Sequence, residues 1–162
     1  MVAEDPRKQQ ESGRDEGAGC VFCAIVAGTA PASVVHDAAD VLAFLDIRPI
    51  TPGHLLVIPK RHARHLADLD EAVGERMYRV AARLARALRA SGLRCEGVNL
   101  FLADGEAAGQ EVFHVHLHVF PRFAGDGFRL EEDGSARPPR AELDASAVQL
   151  RDAYAALWEA AS

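Results

Sequence analysis

The sequence predicts an α+β domain, with an antiparallel sheet of about five strands and two main helices. Short apolar segments typical of strands recur between residues 33 and 120, separated by turns that contain Gly, Pro or Asp. Two longer segments, about 68–90 and 140–160, have the apolar spacing of amphipathic helices. The chain has 162 residues, which fits one domain with a buried core.

Composition limits the classes of partner. Acidic residues outnumber basic ones by 24 to 18, which argues against a nucleic-acid polymer or an anionic membrane as partner. No segment approaches the roughly 20 apolar residues of a membrane span, and the first residues lack the apolar segment of a secretory signal. We therefore expect a cytoplasmic protein. Residues 1–17 are polar and charged and predict a disordered tail before a single domain over 18–162.

The first half of that domain predicts a short helix and three strands. The helix lies in CVFCAIVAG and ends at Gly28. Two strands follow in SVVHD and DVLAFLDI, with a turn at 37–40 between them, and a third lies in TPGHLLVIPK.

The clearest helix covers residues 68–90, with Asp68 as its expected N-cap and Gly92 beyond its end. Its apolar residues recur at steps of three and four: Leu69, Val73, Met77, Val80, Leu84 and Leu88. Arginines share another face: Arg76, Arg79, Arg83, Arg86 and Arg89. An anion-binding stripe is one interpretation, but the solvated face of a surface helix is far commoner, and we favour it.

Two more strands and a helix complete the pattern. GVNLFLA and VFHVHLHVF predict strands, joined by the turn-like DGEAAGQE. The last helix, about 140–160, follows Pro138 and Pro139.

The segment HVHLHV, residues 114–119, is the strongest indication of function. Strict alternation puts His114, His116 and His118 on one strand face, while the intervening apolar residues point to the core. Same-face residues lie roughly 6.6 Å apart, so the imidazoles can converge on one phosphate or one metal, and spacing alone does not choose between them. Gly105 and Gly109 precede the segment, where backbone N–H groups can face an anion.

Together these segments resemble the histidine triad family, in its bacterial Hint-like branch of nucleotide hydrolases. The likeness runs from Cys20 onward, through CVFCAIVAG, DVLAFLDI, PGHLLVIPKRH, the long helix, AGQEVFHVHLHVFPRF and GDGF. It implies a HIT-like fold that forms a homodimer through the long helix and a strand. It also implies hydrolysis or transfer at the α-phosphorus of a nucleotide.

The resemblance assigns roles by motif position. His116 corresponds to the nucleophile, and His54 to another active-site histidine. His118 and the backbone of Gln110, Glu111 and Val112 correspond to phosphate ligands, Asp46 to the acceptor for the ribose hydroxyls, and Ile25, Phe44 and Ile47 to the base pocket.

The chemistry of the residues is compatible with these roles. An imidazole titrates near about pH 6.5, so it is mostly uncharged near neutrality. If its Nδ1–H donates to a backbone carbonyl, the Nε2 lone pair is free to attack phosphorus and form a nucleotidyl-histidine. Asp46 can accept from vicinal hydroxyls, although an aspartate after a strand also commonly serves a turn.

Cys20 and Cys23 have the spacing of half a zinc site. The alternative from spacing is two buried thiols on a short helix. In the resemblance, His62 and His114 complete a Cys-Cys-His-His set that binds structural Zn²⁺ and leaves His116 and His118 for catalysis. Cys95 is expected to be a packed thiol.

Two residues depart from common family patterns. Ala103 stands where asparagine is frequent, and Glu111 where serine or threonine is frequent. A carboxylate near the phosphate repels the substrate unless it points away or pairs with a cation. Strand parity places Glu111 opposite the triad, unless a bend in the preceding loop breaks the count.

The favoured function is hydrolysis of purine nucleoside phosphoramidates or related small nucleotides. The nearest alternative is a dinucleoside polyphosphate hydrolase or phosphorylase, which no residue separates from it. Another alternative is a nucleotide-binding sensor or scaffold with vestigial turnover. The presence of His116 and His118 argues against it, because a pure binding protein does not need a nucleophile. A metal-storage or metal-delivery protein that uses the seven histidines and CVFC would hold several labile metal ions per chain, whereas the enzyme would hold at most one tightly bound zinc ion.

Overall fold

The computed structural model describes residues 17–130 and 135–159, which divide into two compact units, one ending at Gly127 and the other beginning at Phe128. The predicted disordered tail, residues 1–17, lies outside the described residues except for Gly17. The single domain predicted over 18–162 stays a prediction, and each unit is described separately.

The first unit contains an antiparallel sheet of five strands within the described residues, which confirms the predicted fold class. Its spatial order is β1-β2-β3-β5-β4. The strands are β1 (Val34–Asp37), β2 (Val41–Leu45), β3 (Leu55–Pro59), β4 (Gly97–Phe101) and β5 (Leu117–Arg122).

Two helices of this unit cover opposite faces of the sheet. Helix α1 spans Val21–Val26 and α2 spans Glu71–Ala90. Against α2 lies a core cluster from β2, β3 and β5 that includes Val57 and Val119. A second cluster around Phe22 of α1 takes the alternate residues of β2 and β3. All of β3 is therefore buried, as a strand between two apolar layers requires.

The predicted N-cap of α2 was wrong by two residues. Asp70 is the cap, and its carboxylate accepts the Val73 N–H at 3.1 Å. Asp68 ends a short 3₁₀ helix (Leu66–Asp68) and accepts the His65 N–H at 2.9 Å. Leu69 is extended, with ψ 128°, so α2 cannot begin before it.

The arginine face of α2 is the solvated face that we favoured. Arg76 forms an ion pair with Asp40, in the turn before β2. The other four arginines are exposed.

The predicted start of the strand that contains the triad was wrong. Strand β5 begins at Leu117, because the His114 N–H bonds to the Val112 carbonyl and the Val115 N–H bonds to the Ala63 carbonyl, outside the sheet ladder. The predicted alternation of faces still holds, since Val115 joins the α2 core and His116 packs against Phe22.

The second unit contains helix α3, Arg140–Glu159, close to the predicted 140–160. Among the described residues, no helix is both long enough and apolar enough to cross a membrane.

Candidate active site and metal centre

A cavity of about 500 Å³ opens on the α1 side of the sheet. Its apolar wall includes Phe22, Ile25 and Phe44, and the last two are residues that the resemblance assigns to a base pocket. Its polar lining includes Asp46, Arg48, His54, Glu111, His116 and His118. Ile47 also lines it, at 90 % exposure, so this side chain lies at the opening.

His116 lies deep in this cavity, with 6 % of the residue exposed. Its Nδ1 is 2.7 Å from the carbonyl oxygen of His114. A carbonyl only accepts, so Nδ1 carries the proton and the Nε2 of the neutral ring carries the lone pair. The edge of Phe22, at 5.3 Å between ring centroids, packs against the imidazole and holds its orientation. This is the tautomer that a histidine nucleophile requires.

A chain of hydrogen bonds sets the tautomers of the other two histidines of the cavity, His54 and His118. The Ile50 N–H donates to His54 Nδ1 at 3.2 Å, so the His54 proton is on Nε2. That Nε2–H donates to His118 Nδ1 at 2.9 Å. The remaining His118 nitrogen, Nε2, therefore carries a proton and is a donor. Asp46 Oδ2 lies 3.6 Å from His54 Nδ1, too far for a hydrogen bond.

Burial keeps both rings neutral. The pKa of His118 is lowered to about 4, first by burial and then because the neighbouring His116 and His54 imidazoles disfavour a further positive charge. Burial also lowers the pKa of His54, against a smaller opposing effect of Asp46. Near neutral pH the pair therefore presents a neutral N–H donor to the cavity beside the lone pair of His116.

Asp46 has features of both roles considered for it. Its Oδ1 accepts the Arg48 N–H at 2.8 Å, as a turn aspartate does. Its carboxylate also lines the cavity, with 17 % of the side chain exposed. A turn aspartate with a second oxygen facing the cavity can accept from a ligand hydroxyl.

The glycine-containing loop before β5 is held by Gln110. Gly105 and Gly109 have φ values of 91° and 85°, which glycine adopts without strain. Gln110 is buried; its Oε1 accepts the Gly105 N–H at 2.7 Å, and its Nε2 donates to the carbonyls of Arg64 and Val112. The Gln110 side chain therefore clamps the loop and is not part of the cavity wall, whereas Gly109, Glu111 and Val112 are.

The predicted orientation of Glu111, opposite the triad, was wrong. Glu111 precedes β5 in a loop, where strand parity does not apply, and it lines the same cavity as His116. Its Oε2 pairs with Arg48 Nη2 at 3.0 Å. Sequence reasoning missed Arg48, since a single charge between two strands carries no pattern.

The four predicted metal ligands meet beside the cavity. Their ligand atoms all lie within 4.8 Å of one another: Cys20 Sγ, Cys23 Sγ, His62 Nδ1 and His114 Nδ1. The shortest contacts are 3.2 Å between the two Nδ1 atoms and 3.3 Å between Cys23 Sγ and His62 Nδ1. Two sulfurs and two imidazole nitrogens form a donor set that suits tetrahedral zinc.

The tautomer of His114 fits a metal at this position. Its Nε2 lies 2.8 Å from the Pro59 carbonyl oxygen and donates to it, which leaves the Nδ1 lone pair facing the sulfurs. Burial lowers the pKa of His114 to about 4, so the ring is in its ligand form. Burial and the neighbouring Cys20 raise the pKa of Cys23 to about 11. A cation here would stabilise the thiolate instead.

The remaining candidates lie outside the cavity wall. Cys95 packs beside the α2 core, which confirms the packed thiol. Ala103 is buried at 4 % exposure. His65 contacts Asp104 at 3.3 Å. One further cluster with metal-ligand atoms occurs among the described residues, namely Asp46, His54 and His118 of the cavity.

The sequence profile of the HIT domain matches residues 27–125. The chain belongs to the HIT family. It is 46% identical to an uncharacterized HIT-like protein of Borreliella burgdorferi over 110 residues, 67% of this chain and 79% of that protein. Solved structures of HIT-family proteins also resemble this chain.

One such structure is a Zn-bound histidine triad family protein from Mycobacterium smegmatis, with 46% identity, a TM-score of 0.67, and coverage of 85% of this chain and 99% of that one. Another is a histidine triad nucleotide-binding protein from Candida albicans, with 28% identity, a TM-score of 0.77, and coverage of 86% and 99%.

Proposed function

We propose that this HIT protein cleaves purine nucleoside phosphoramidates or related small nucleotides at the α-phosphorus, through a covalent nucleotidyl-histidine on His116. The observation that carries the proposal is the hydrogen bond from His116 Nδ1 to the His114 carbonyl, which leaves Nε2 as a free nucleophile deep in the cavity. The nucleotide-binding protein of Candida albicans gives independent support for the ligand class.

Each part of the cavity has a role in this proposal. The apolar wall around Ile25, Phe44 and Ile47 takes the base, and Asp46 accepts from the ribose hydroxyls. The N–H of His118 and the backbone N–H groups of Glu111 and Val112 bind the phosphate oxygens. The backbone of Gln110, which the resemblance also assigned to the phosphate, is excluded because its N–H donates to the Gly105 carbonyl at 3.1 Å. His54 is a positioning residue, because it holds His118 in the tautomer that donates.

The reaction has two steps. His116 Nε2 attacks phosphorus, the P–N bond of the phosphoramidate breaks, and the departing amine takes a proton from solvent at the open side of the cavity. Water then cleaves the histidine–phosphorus bond, releasing the nucleoside monophosphate and restoring His116. A neutral donor such as His118 stabilises charge on the phosphoryl oxygens in both steps.

We infer a structural zinc ion held by Cys20, Cys23, His62 and His114. When bound, it would crosslink α1 to the chain around β3 and β5 and supply folding energy, without entering the reaction. The Zn-bound structure from Mycobacterium smegmatis supports this assignment.

We also propose a cytoplasmic homodimer. Strand β4 is an edge strand of the sheet, and it exposes Leu100 and Phe101, at 38% and 40%. Unsatisfied strand edges with apolar side chains favour pairing with another chain. A second copy of this chain would extend the sheet, and sedimentation of the purified protein tests it.

Release of AMP from adenosine 5′-phosphoramidate tests the function, with diadenosine tetraphosphate in parallel. We expect rapid turnover of the phosphoramidate by the wild type, none by His116→Ala, and nucleotide binding by both. Preference for the dinucleotide would support the alternative hydrolase or phosphorylase. Binding without turnover by the wild type would contradict the proposal in favour of a sensor or scaffold.

A further inference from the structure

We propose that Arg48 and Glu111 form a leaving-group subsite that determines which charges on the departing group the enzyme tolerates. This inference rests on the proposed function. Arg48 lies in the loop after β2 and Glu111 in the loop before β5, and both line the cavity. Their side chains meet at 3.0 Å while remaining 81% and 76% exposed.

The direction of attack places the leaving group next to this pair. In-line displacement requires the departing atom to lie opposite the attacking nitrogen. His116 is 6 % exposed, so its side of the cavity is the closed side. The leaving group must therefore depart toward solvent, where Arg48 and Glu111 are the most exposed charged side chains of the described lining.

Asp46, the other carboxylate of the described lining, is placed differently. Only 17 % of its side chain is exposed, and one oxygen accepts the Arg48 N–H. Its position suits the nucleoside end of a substrate. The exposed ion pair is thus the part of the cavity that a departing amine meets.

Arg48 and Glu111 together carry no net charge at the opening of the cavity, and each can exchange its partner for a charged group of the substrate. Exposed ion pairs are weak, so a charged group on the substrate can replace either partner. An ammonium would contact Glu111, and a carboxylate would contact Arg48. The wild type should therefore tolerate either sign, and removal of one partner should make the enzyme selective.

Three adenosine 5′-phosphoramidates test the subsite, with departing amines that carry a neutral, an ammonium or a carboxylate tail on the same linker. The measured quantity is the ratio of kcat/KM for the cationic substrate to that for the anionic one. We expect a wild-type ratio within about threefold of one, a rise of about tenfold in Arg48→Gln and a fall of about tenfold in Glu111→Gln, with both changes reduced by salt. The double variant should return close to the wild-type ratio.

Arg94 and Glu96 provide a matched control. They form an exposed pair at 3.2 Å that does not line the cavity, with 61% and 55% of their side chains exposed. Arg94→Gln and Glu96→Gln should leave the ratio unchanged. Turnover with equal ratios in the Arg48 and Glu111 variants would overturn the subsite alone. Failure of the wild type to cleave any of the three compounds would overturn the proposed function and the subsite with it.

Discussion

Acidification should destabilise this protein through His118. The pKa of this ring is lowered to about 4, chiefly by burial, whereas an unfolded histidine titrates near about 6.5. Between these two values the unfolded chain binds a proton that the folded chain does not. The free energy of unfolding therefore rises with pH through this window, and the contribution of His118 is lost as pH falls from about 6.5 to about 4.

The size of the effect follows from the two pKa values. Between about pH 7.5 and about pH 5, the shift of His118 alone should remove about 2 kcal/mol from the free energy of unfolding. Burial lowers the pKa of His54 too, so this residue acts in the same direction.

Urea unfolding of the wild type and of His118→Gln at both pH values isolates the effect. The wild type should lose about 2 kcal/mol more than the variant between the two conditions, because glutamine does not titrate. Comparison within each protein removes the constant cost of the substitution. Equal losses in the two proteins would show that His118 is not held neutral in the folded state, and would refute the reasoning.

Three other substitutions give distinct outcomes. Cys23→Ala should reduce zinc from about one ion per chain, measured by mass spectrometry, and lower the melting temperature, whereas Cys95→Ala should retain the metal. Gln110→Ala removes three hydrogen bonds from the loop before β5, so urea unfolding should show a loss of about 1–3 kcal/mol, and an unchanged stability would contradict the clamp. Phe22→Ala should cost about 3–5 kcal/mol in the same assay and lower kcat as well, since Phe22 packs against the His116 ring; unchanged kcat would contradict its orienting role.

Periodicity predicted the sheet, α2 and the faces of the triad, because these depend on local spacing. It did not predict how deeply the triad is buried. His114 is fully buried because α1 covers it with Phe22, and this contact joins residues far apart in the chain. The predicted N-cap of α2 was wrong because Asp68 and Asp70 are the same residue type, and only the extended backbone of Leu69 shows which of them precedes the helix.

Loop residues were the least predictable part of the site. Gln110 and Glu111 are adjacent polar residues, yet one side chain is buried in the loop and the other reaches the opening of the cavity. The alternation of side chains in a strand does not apply to these two residues, because no hydrogen bonds to a neighbouring strand fix their orientation. The prediction of His62 as a metal ligand came from resemblance, since spacing alone does not relate it to Cys23, 39 residues earlier.

His114 connects the proposed metal centre to the proposed nucleophile, His116. Its Nδ1 lies among the thiols and His62, its Nε2 donates to Pro59, and its own carbonyl accepts the proton of His116 Nδ1. The residue that completes the proposed metal site therefore also presents the carbonyl that determines the tautomer of His116. Loss of the metal should loosen this carbonyl without removing any group that contacts substrate. We expect metal removal to lower kcat more than it raises KM, and an equal effect on both would argue that the centre only supports the fold.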